Sequence, residues 1–284
     1  MIENLRQIKL RIRSVSATRR ITRAMEMISA AKLNRVKATY YGALAYFTSL
    51  ESVFQRLLAD AGTSQHPLLR QREPVKIIAL CVITSDTGLC GSYNHNVLRA
   101  AEEFIEKHNY CNIRLVAIGK EAAKHFKERE MLLNSYPGLY GRYSAKLVET
   151  ITGDLVTIFT ADEADEIYIA HTKFSVTLRH KPVVEKLLNI ERRGARAERH
   201  IFEPGAAALL ETLVPHYLFH KMRAILLDAF TAEHSARMLA MKTATDNADE
   251  LIDTLTLKRN KARQFAITRE VLEIAASAEA LKEG

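Results

Sequence analysis

The sequence predicts an α/β protein, with a central domain of alternating strands and helices and long N- and C-terminal helices forming an antiparallel coiled coil. Three features of its 284 residues point there. Glycine and proline punctuate turns and interrupt helices, and here they are segregated. The first glycine is Gly42, the first proline is Pro67, and neither type occurs between Pro215 and Gly284. Apolar residues at both ends recur with helical spacing, whereas the middle carries short β-branched runs separated by helical stretches.

The N-terminal helix is expected over residues 1–58. Leu5, Ile8, Ile12 and Val15 stand at three-four-three spacing, and Ile21, Met25 and Ile28 are expected to continue that seam. A linker is placed at 59–73. The central domain is placed at 74–195, opening on residues 75–84 (VKIIALCVIT), an apolar run suited to a strand buried on both faces. A helix follows at 94–108, then a second buried strand at 113–118 (IRLVAI) ending at Gly119. Helices at 121–130 and 144–159 and strands at 166–171 and 182–190 complete the series. This alternation argues a Rossmann-like domain with a mainly parallel sheet. After a second linker at 196–204, the C-terminal helix spans 205–284. Met222, Leu226, Phe230, Ala236, Ala240, Ala244, Leu251 and Leu255 are expected on its shared face. At 1.5 Å per residue, residues 216–283 would extend about 100 Å, more than a globular domain covers.

Composition excludes some function classes. The chain is 48% hydrophobic and 26% charged, which supports a buried core rather than disorder. No stretch approaches the ~18 uncharged apolar residues of a membrane span, and no apolar segment follows the basic N-terminus as a secretory signal would require. Three unevenly spaced cysteines, Cys81, Cys90 and Cys111, make neither a disulfide framework nor a paired zinc motif, so a reducing compartment is expected. The net charge of +8 is localised. Residues 1–58 hold eleven Lys/Arg against three acids, a surplus equal to that of the whole chain.

Four features are candidates for chemistry. The turn Ser85-Asp86-Thr87-Gly88-Leu89-Cys90-Gly91 follows the first central strand, where α/β folds bind phosphate. Neither dinucleotide-binding nor P-loop spacing accompanies it, so it reads as a structural or partner-contacting turn. Cys90 would need a lowered pKa and a base to act as a nucleophile. His95 is near in sequence, but nothing else supports such a pair. His216 and His220, four residues apart, lack a third ligand and read as surface histidines. The basic N-terminal helix has the Lys/Arg density of a nucleic-acid binder but no aromatic platform. It reads as the basic side of a coiled coil facing an acidic protein surface. No catalytic constellation, cofactor site or metal site is expected.

Two segments carry a family resemblance. Residues 21–33 (ITRAMEMISAAKL) resemble the N-terminal signature of the F-type ATP synthase gamma subunit. At the other end Glu233-His234-Ser235-Ala236-Arg237-Met238, residues 240–248 (AMKTATDNA), 260–264 (NKARQ), 267–270 (ITRE) and Glu273-Ile274 resemble its C-terminal signature. The turn at 85–91 matches the family's central motif, and the resemblance spans the chain in order. Thr87, Ser92 and Arg259 depart from the basic residue, glycine and tyrosine common at those positions. The regulatory cysteine-pair insertion of chloroplast relatives is absent, since Cys111 is the last cysteine.

The resemblance implies a non-catalytic rotor shaft with no cofactor of its own. The paired helices would enter a head of three alpha and three beta subunits, and the α/β domain would meet the epsilon subunit and the membrane c ring. Its place would be peripheral, on the cytoplasmic face of a bacterial membrane. The implied contact residues are Arg23 and Met25, near an acidic segment of beta, and Arg263 and Gln264, on a beta loop. Lys32 and Lys242 are further candidates. Small apolar residues at Ala275, Ala276, Ala278, Ala280 and Leu281 would make a smooth tip. The alternative, from another class, is a basic coiled-coil protein with a nucleotide- or nucleic-acid-binding α/β domain.

Overall fold

The computed structural model describes residues 5–60, 66–128, 131–177, 180–191, 202–203 and 205–280. Helix α1 spans Leu5–Asp60 and is followed by a single 3-10 turn at Pro67–Leu69. The central elements are β1 (Ile77–Ile83), α2 (Tyr93–Lys107), β2 (Asn112–Ile118), α3 (Lys120–Phe126), β3 (Leu132–Tyr136), α4 (Ala145–Thr160), β4 (Glu166–Lys173) and β5 (Lys181–Leu188). Helix α5 runs from Ala206 to Ala280, 75 residues. Most of the linker expected at 196–204, the middle of the one at 59–73, and Leu281 of the expected tip lie outside the described residues.

The described residues fall into two compact units, Ser29–Arg237 and Met1–Ile28 with Met238–Gly284. In the first, five strands are ordered β3-β2-β1-β4-β5. β1 pairs in parallel with β2 and β4, β2 pairs in parallel with β3, and β5 runs antiparallel to β4. The period of two along a strand explains why β1 is apolar throughout. Ala79, Cys81 and Ile83 point into a cluster with Val148, Ile151 and Leu155 of α4, Phe54 and Leu57 of α1, and Leu218, Met222 and Leu226 of α5. Ile78, Leu80 and Val82 point into a second cluster with Val97 and Ala101 of α2 and Phe126 of α3. Phe54 stacks on Tyr217 at 4.1 Å, which joins α1 to α5 under the sheet.

Strand β3 is an element the sequence pattern did not reveal. Its residues, LLNSY, are five in number and none is fully buried. A short edge strand needs no two-sided apolar run, so its signal is weak. The helix expected at 121–130 ends at Phe126 among the described residues. Pro215 lies inside α5, as it does in the expected helix at 205–284. Its neighbours Val214 and Tyr217 are buried while Pro215 itself is exposed, so the backbone bond it forgoes lies on the outer side of the helix.

In the second unit the start of α1 lies antiparallel to the later part of α5. Arg19 Nη1 meets Asp249 Oδ1 at 2.9 Å, and three residues further along α1 the Thr22 hydroxyl meets that of Thr245, four residues earlier on α5. The seam corrects the expected one. In this unit the buried positions on α1 are Ile8 and Thr22, fourteen residues apart; within the other unit Ser29, Val36, Ala43 and Leu57 are buried at multiples of seven, with Leu33, Tyr40 and Phe54 as a second set. Ile21 and Ile28 sit one residue off this repeat and are 61% and 57% exposed. On α5 the seam passes through Met241, Thr245, Ala248 and Leu255, and Leu251 is exposed. A residue one step away on a helix is rotated by about 100°, which takes it off the contact line.

Candidate functional site

The six expected contact residues lie on the two long helices. Arg23 is exposed, its guanidinium 3.2 Å from Glu26 one turn on, and Met25 is half-buried. Lys242 is exposed, one residue after buried Met241 and three before Thr245, whose hydroxyl bonds that of Thr22. Arg23, Met25 and Lys242 therefore sit at neighbouring levels of one helix pair. Lys32 is exposed and belongs to the other unit. Arg263 and Gln264 are exposed and begin the stretch of α5 that no other described residue covers. From 263 through 278 every residue is exposed, including Phe265, Ile267, Val271, Leu272 and Ile274. Such a run of apolar residues is uncovered by any other described residue. Ala275, Ala276 and Ala278 end this stretch.

The turn at 85–91 is held by a buried polar knot that the sequence reading missed. Asp86 accepts from the backbone N–H groups of Lys120 (2.9 Å), Gly138 (2.7 Å) and Tyr140 (2.5 Å), tying the turn to two further loops. Ser85 Oγ and the Asn94 amide bond at 2.8 Å. From α5, Arg237 donates Nη2 to the Thr87 carbonyl at 2.9 Å and to its hydroxyl at 3.0 Å. Its Nη1 pairs with Glu233 at 2.6 Å, the two side chains being 9% and 2% exposed. His234 Nε2 lies 3.2 Å from the Gly141 carbonyl. Burial pushes the Glu233 carboxyl up, opposed by Arg237. Burial also pulls His234 down to about 4, opposed by the Gly141 carbonyl and helped by the Arg237 and Lys32 charges. The signal was present as two separate motifs, 85–91 and 233–238. Only folding showed that they meet.

The chemical candidates resolve as structural. Cys90 is 2% exposed, with the Asn94 amide at 3.4 Å and the Ser85 hydroxyl at 3.8 Å. Burial raises its pKa, opposed by the Ser85 bond and Arg237, the reverse of an activated nucleophile. His95 is exposed on α2. The rings of His216 and His220 stack at 5.8 Å, and His220 also packs on Tyr46 at 4.5 Å. Among the described residues no group of three or more His, Cys, Asp or Glu is placed to hold a metal ion, and no helix is long and apolar enough to cross a membrane. The turn's Thr87 and Gly88 carbonyls are engaged by the chain's own Arg237.

Comparison with known proteins agrees with this layout. The family model described as ATP synthase matches residues 4–281. The ATP synthase gamma chain of Moorella thermoacetica is 39% identical over 282 residues, covering 98% of this chain and 99% of that protein. That of Pelotomaculum thermopropionicum is 38% identical over 284 residues with the same coverage. Among solved structures, the rotor of the Euglena gracilis mitochondrial ATP synthase superposes with a TM-score of 0.67 at 16% identity, over 93% of this chain and 98% of the matched one. The central stalk and c-ring structure of the Tetrahymena thermophila enzyme gives 0.63 at 20% identity, over 79% and 99%. Two long helical ends, a mainly parallel sheet covered on both faces, and full-length identity well above 30% lead to one assignment: the chain belongs to the ATP synthase gamma-chain family.

Proposed function

We propose that this chain is the rotating central stalk of an F-type ATP synthase and is not itself catalytic. The observation that carries the reading is the bare end of α5. Sixteen consecutive exposed residues, 263–278, continue a helix whose earlier part is paired with α1. A 75-residue helix with this segment uncovered is suited to insertion into a surrounding protein sleeve. The sleeve would be the alpha3-beta3 head, where nucleotide chemistry takes place. The α/β domain at 74–195 would meet the epsilon subunit and the c ring, and helices 1–58 and 205–284 would form the shaft, joined to the domain by segments 59–73 and 196–204. The complex would place the chain at the cytoplasmic face of a bacterial membrane, peripherally.

Torque needs contacts that form at some angles and break at others. Arg263 and Gln264 present planar, multi-donor groups at the start of the uncovered segment, suited to a reversible hydrogen-bonded catch on a beta loop. Arg23, Met25 and Lys242 would meet an acidic segment of beta lower on the shaft, and Lys32 is a further candidate contact. Exposed charges of this kind steer and orient association and contribute little as permanent bonds. The test is co-assembly. The chain mixed with alpha and beta subunits should give an alpha3-beta3-gamma complex in which ATP hydrolysis rotates a probe on the α/β domain. Arg263→Ala with Gln264→Ala should lower coupled turnover or assembly while the α/β domain stays folded. Failure of the chain to assemble, or ATP hydrolysis by the chain alone, would overturn the reading.

A further inference from the structure

Two exposed side chains are displayed from strained backbone, and both are held there by buried charges. Leu89 has φ +62° and is 60% exposed, and Tyr140 has φ +51° and is 51% exposed. A bulky residue seldom adopts the left-handed region, because its Cβ crowds the following carbonyl. Such a conformation persists only where its surroundings impose it, and it points to a use for the displayed group. The surroundings are visible here. Arg237 grips the carbonyls of Thr87 and Gly88, at 2.9 and 3.4 Å, the two peptide groups that lead into Leu89. Asp86 takes the Tyr140 and Gly138 N–H groups, while His234, one residue from Glu233, meets the Gly141 carbonyl. One turn of α5 and one carboxylate thus set both loops.

We propose that Arg237, buried against Glu233, is a positioning residue that holds the Thr87–Leu89 turn in the conformation projecting Leu89 from the surface. Asp86 performs the same task for Tyr140. Lys120, whose N–H bonds Asp86, and Arg142, two residues after Tyr140, are exposed as well. Without Arg237, Leu89 is free to return to negative φ, and its side chain turns off the surface. Arg237 acts through Leu89 and touches no reacting group.

The full chain carrying Leu89→Cys provides the readout, since the three native cysteines are buried. Maleimide should label position 89 rapidly, and adding Arg237→Met should slow that labelling about tenfold. Labelling of Tyr110→Cys, at a site 75% exposed, should not change. If Arg237→Met alone leaves Glu233 unpaired and unfolds the chain, Glu233→Gln with Arg237→Met removes both charges and gives the same comparison. Unchanged labelling at 89 in a folded variant would overturn the proposal. A second arm separates display from mere structure. Leu89→Gly relieves the strained φ, so its melting temperature should hold or rise, yet in the assembled synthase it should lower coupled turnover several-fold without changing nucleotide KM. Normal turnover in that variant would end the case for display. This arm rests on the stalk reading and the labelling arm does not, so the two fail separately.

Discussion

Thr245 and Thr22 meet hydroxyl to hydroxyl at 2.8 Å, inside a helix pair whose other seam residues are mostly apolar. Thr22 passes its own proton to the Arg19 carbonyl at 3.0 Å, and the Thr245 hydroxyl also lies 2.8 Å from the Met241 carbonyl. Each hydroxyl therefore retains a backbone acceptor if its partner is lost. Replacing one by valine should cost about 0.5–1 kcal/mol, and replacing both should be close to neutral, because a matched apolar pair removes the desolvation cost together with the bond. A double-mutant cycle on urea unfolding measures this. Additive losses would show that the hydroxyls are not coupled.

Gly141 is a position where only glycine fits. Its φ is +63°, and a Cβ there would stand 2.6 Å from His234 Nε2. Gly141→Ala should destabilise by roughly 1–3 kcal/mol through strain and clash together. Adding His234→Ala removes the clash and leaves the strain, so part of the loss should return. Thermal melts of the single and double variants decide the matter. Gly119→Ala should be worse, since its Cβ would lie 2.2 Å from the backbone carbonyl oxygen of Thr84, which cannot move aside.

Acid should weaken the fold in two separate windows. Burial first, then the Arg237 and Lys32 charges, hold His234 at about 4, against an ordinary value of 6.5. Between those values the unfolded chain binds a proton that the folded chain refuses. Stability therefore falls as pH drops from 6.5 towards 4, by roughly 2–3 kcal/mol. His234→Gln should flatten this slope. Glu185 behaves as a depressed carboxyl. Burial alone would raise it, but the His171 hydrogen bond and the Lys173 and Lys221 charges bring it to about 2. Its contribution is present above 4.5 and is lost as pH falls from there towards 2. Urea midpoints measured from pH 8 to 3 would show the first window and the onset of the second.

The thiols should be silent in the native chain. Cys81 is fully buried and burial pushes its pKa to about 12, while Cys90 and Cys111 are also raised by burial. Since the thiolate is the reactive form, a disulfide-exchange reagent should react slowly in buffer and titrate three groups in denaturant. Rapid reaction of Cys90 in the native chain would contradict the buried setting of the turn at 85–91.

Much of this fold is legible from residue order alone. A glycine- and proline-poor end with helical apolar spacing suits a long helix, and the apolar, β-branched run that follows Lys76 suits a strand covered on both sides. Periodicity is a local property, so it survives translation into structure. Short edge strand β3 left no such trace, because half of its surroundings are not protein core. The seam shows a subtler limit. Apolar identity drew attention to Ile21 and Ile28, whereas the seven-residue repeat places Thr22 and Ser29 inward. Period prevails over hydrophobicity there because α5 presents Thr245 opposite Thr22, and a hydroxyl facing a hydroxyl is not stranded.

The contact residues divide in the same way. That Arg263 and Gln264 are surface groups on a helix follows from sequence. That they begin a segment uncovered by any other described residue depends on where α1 starts along α5. The motifs at 85–91 and 233–238 stand about 150 positions apart, and nothing local says that Arg237 should grip Thr87. By itself the sequence determined the helices, the buried strands and the family, since each rests on short-range pattern or on residue identity. Only the tertiary structure decided which polar groups meet, because a buried charge is stable only where distant parts of the chain bring it a partner.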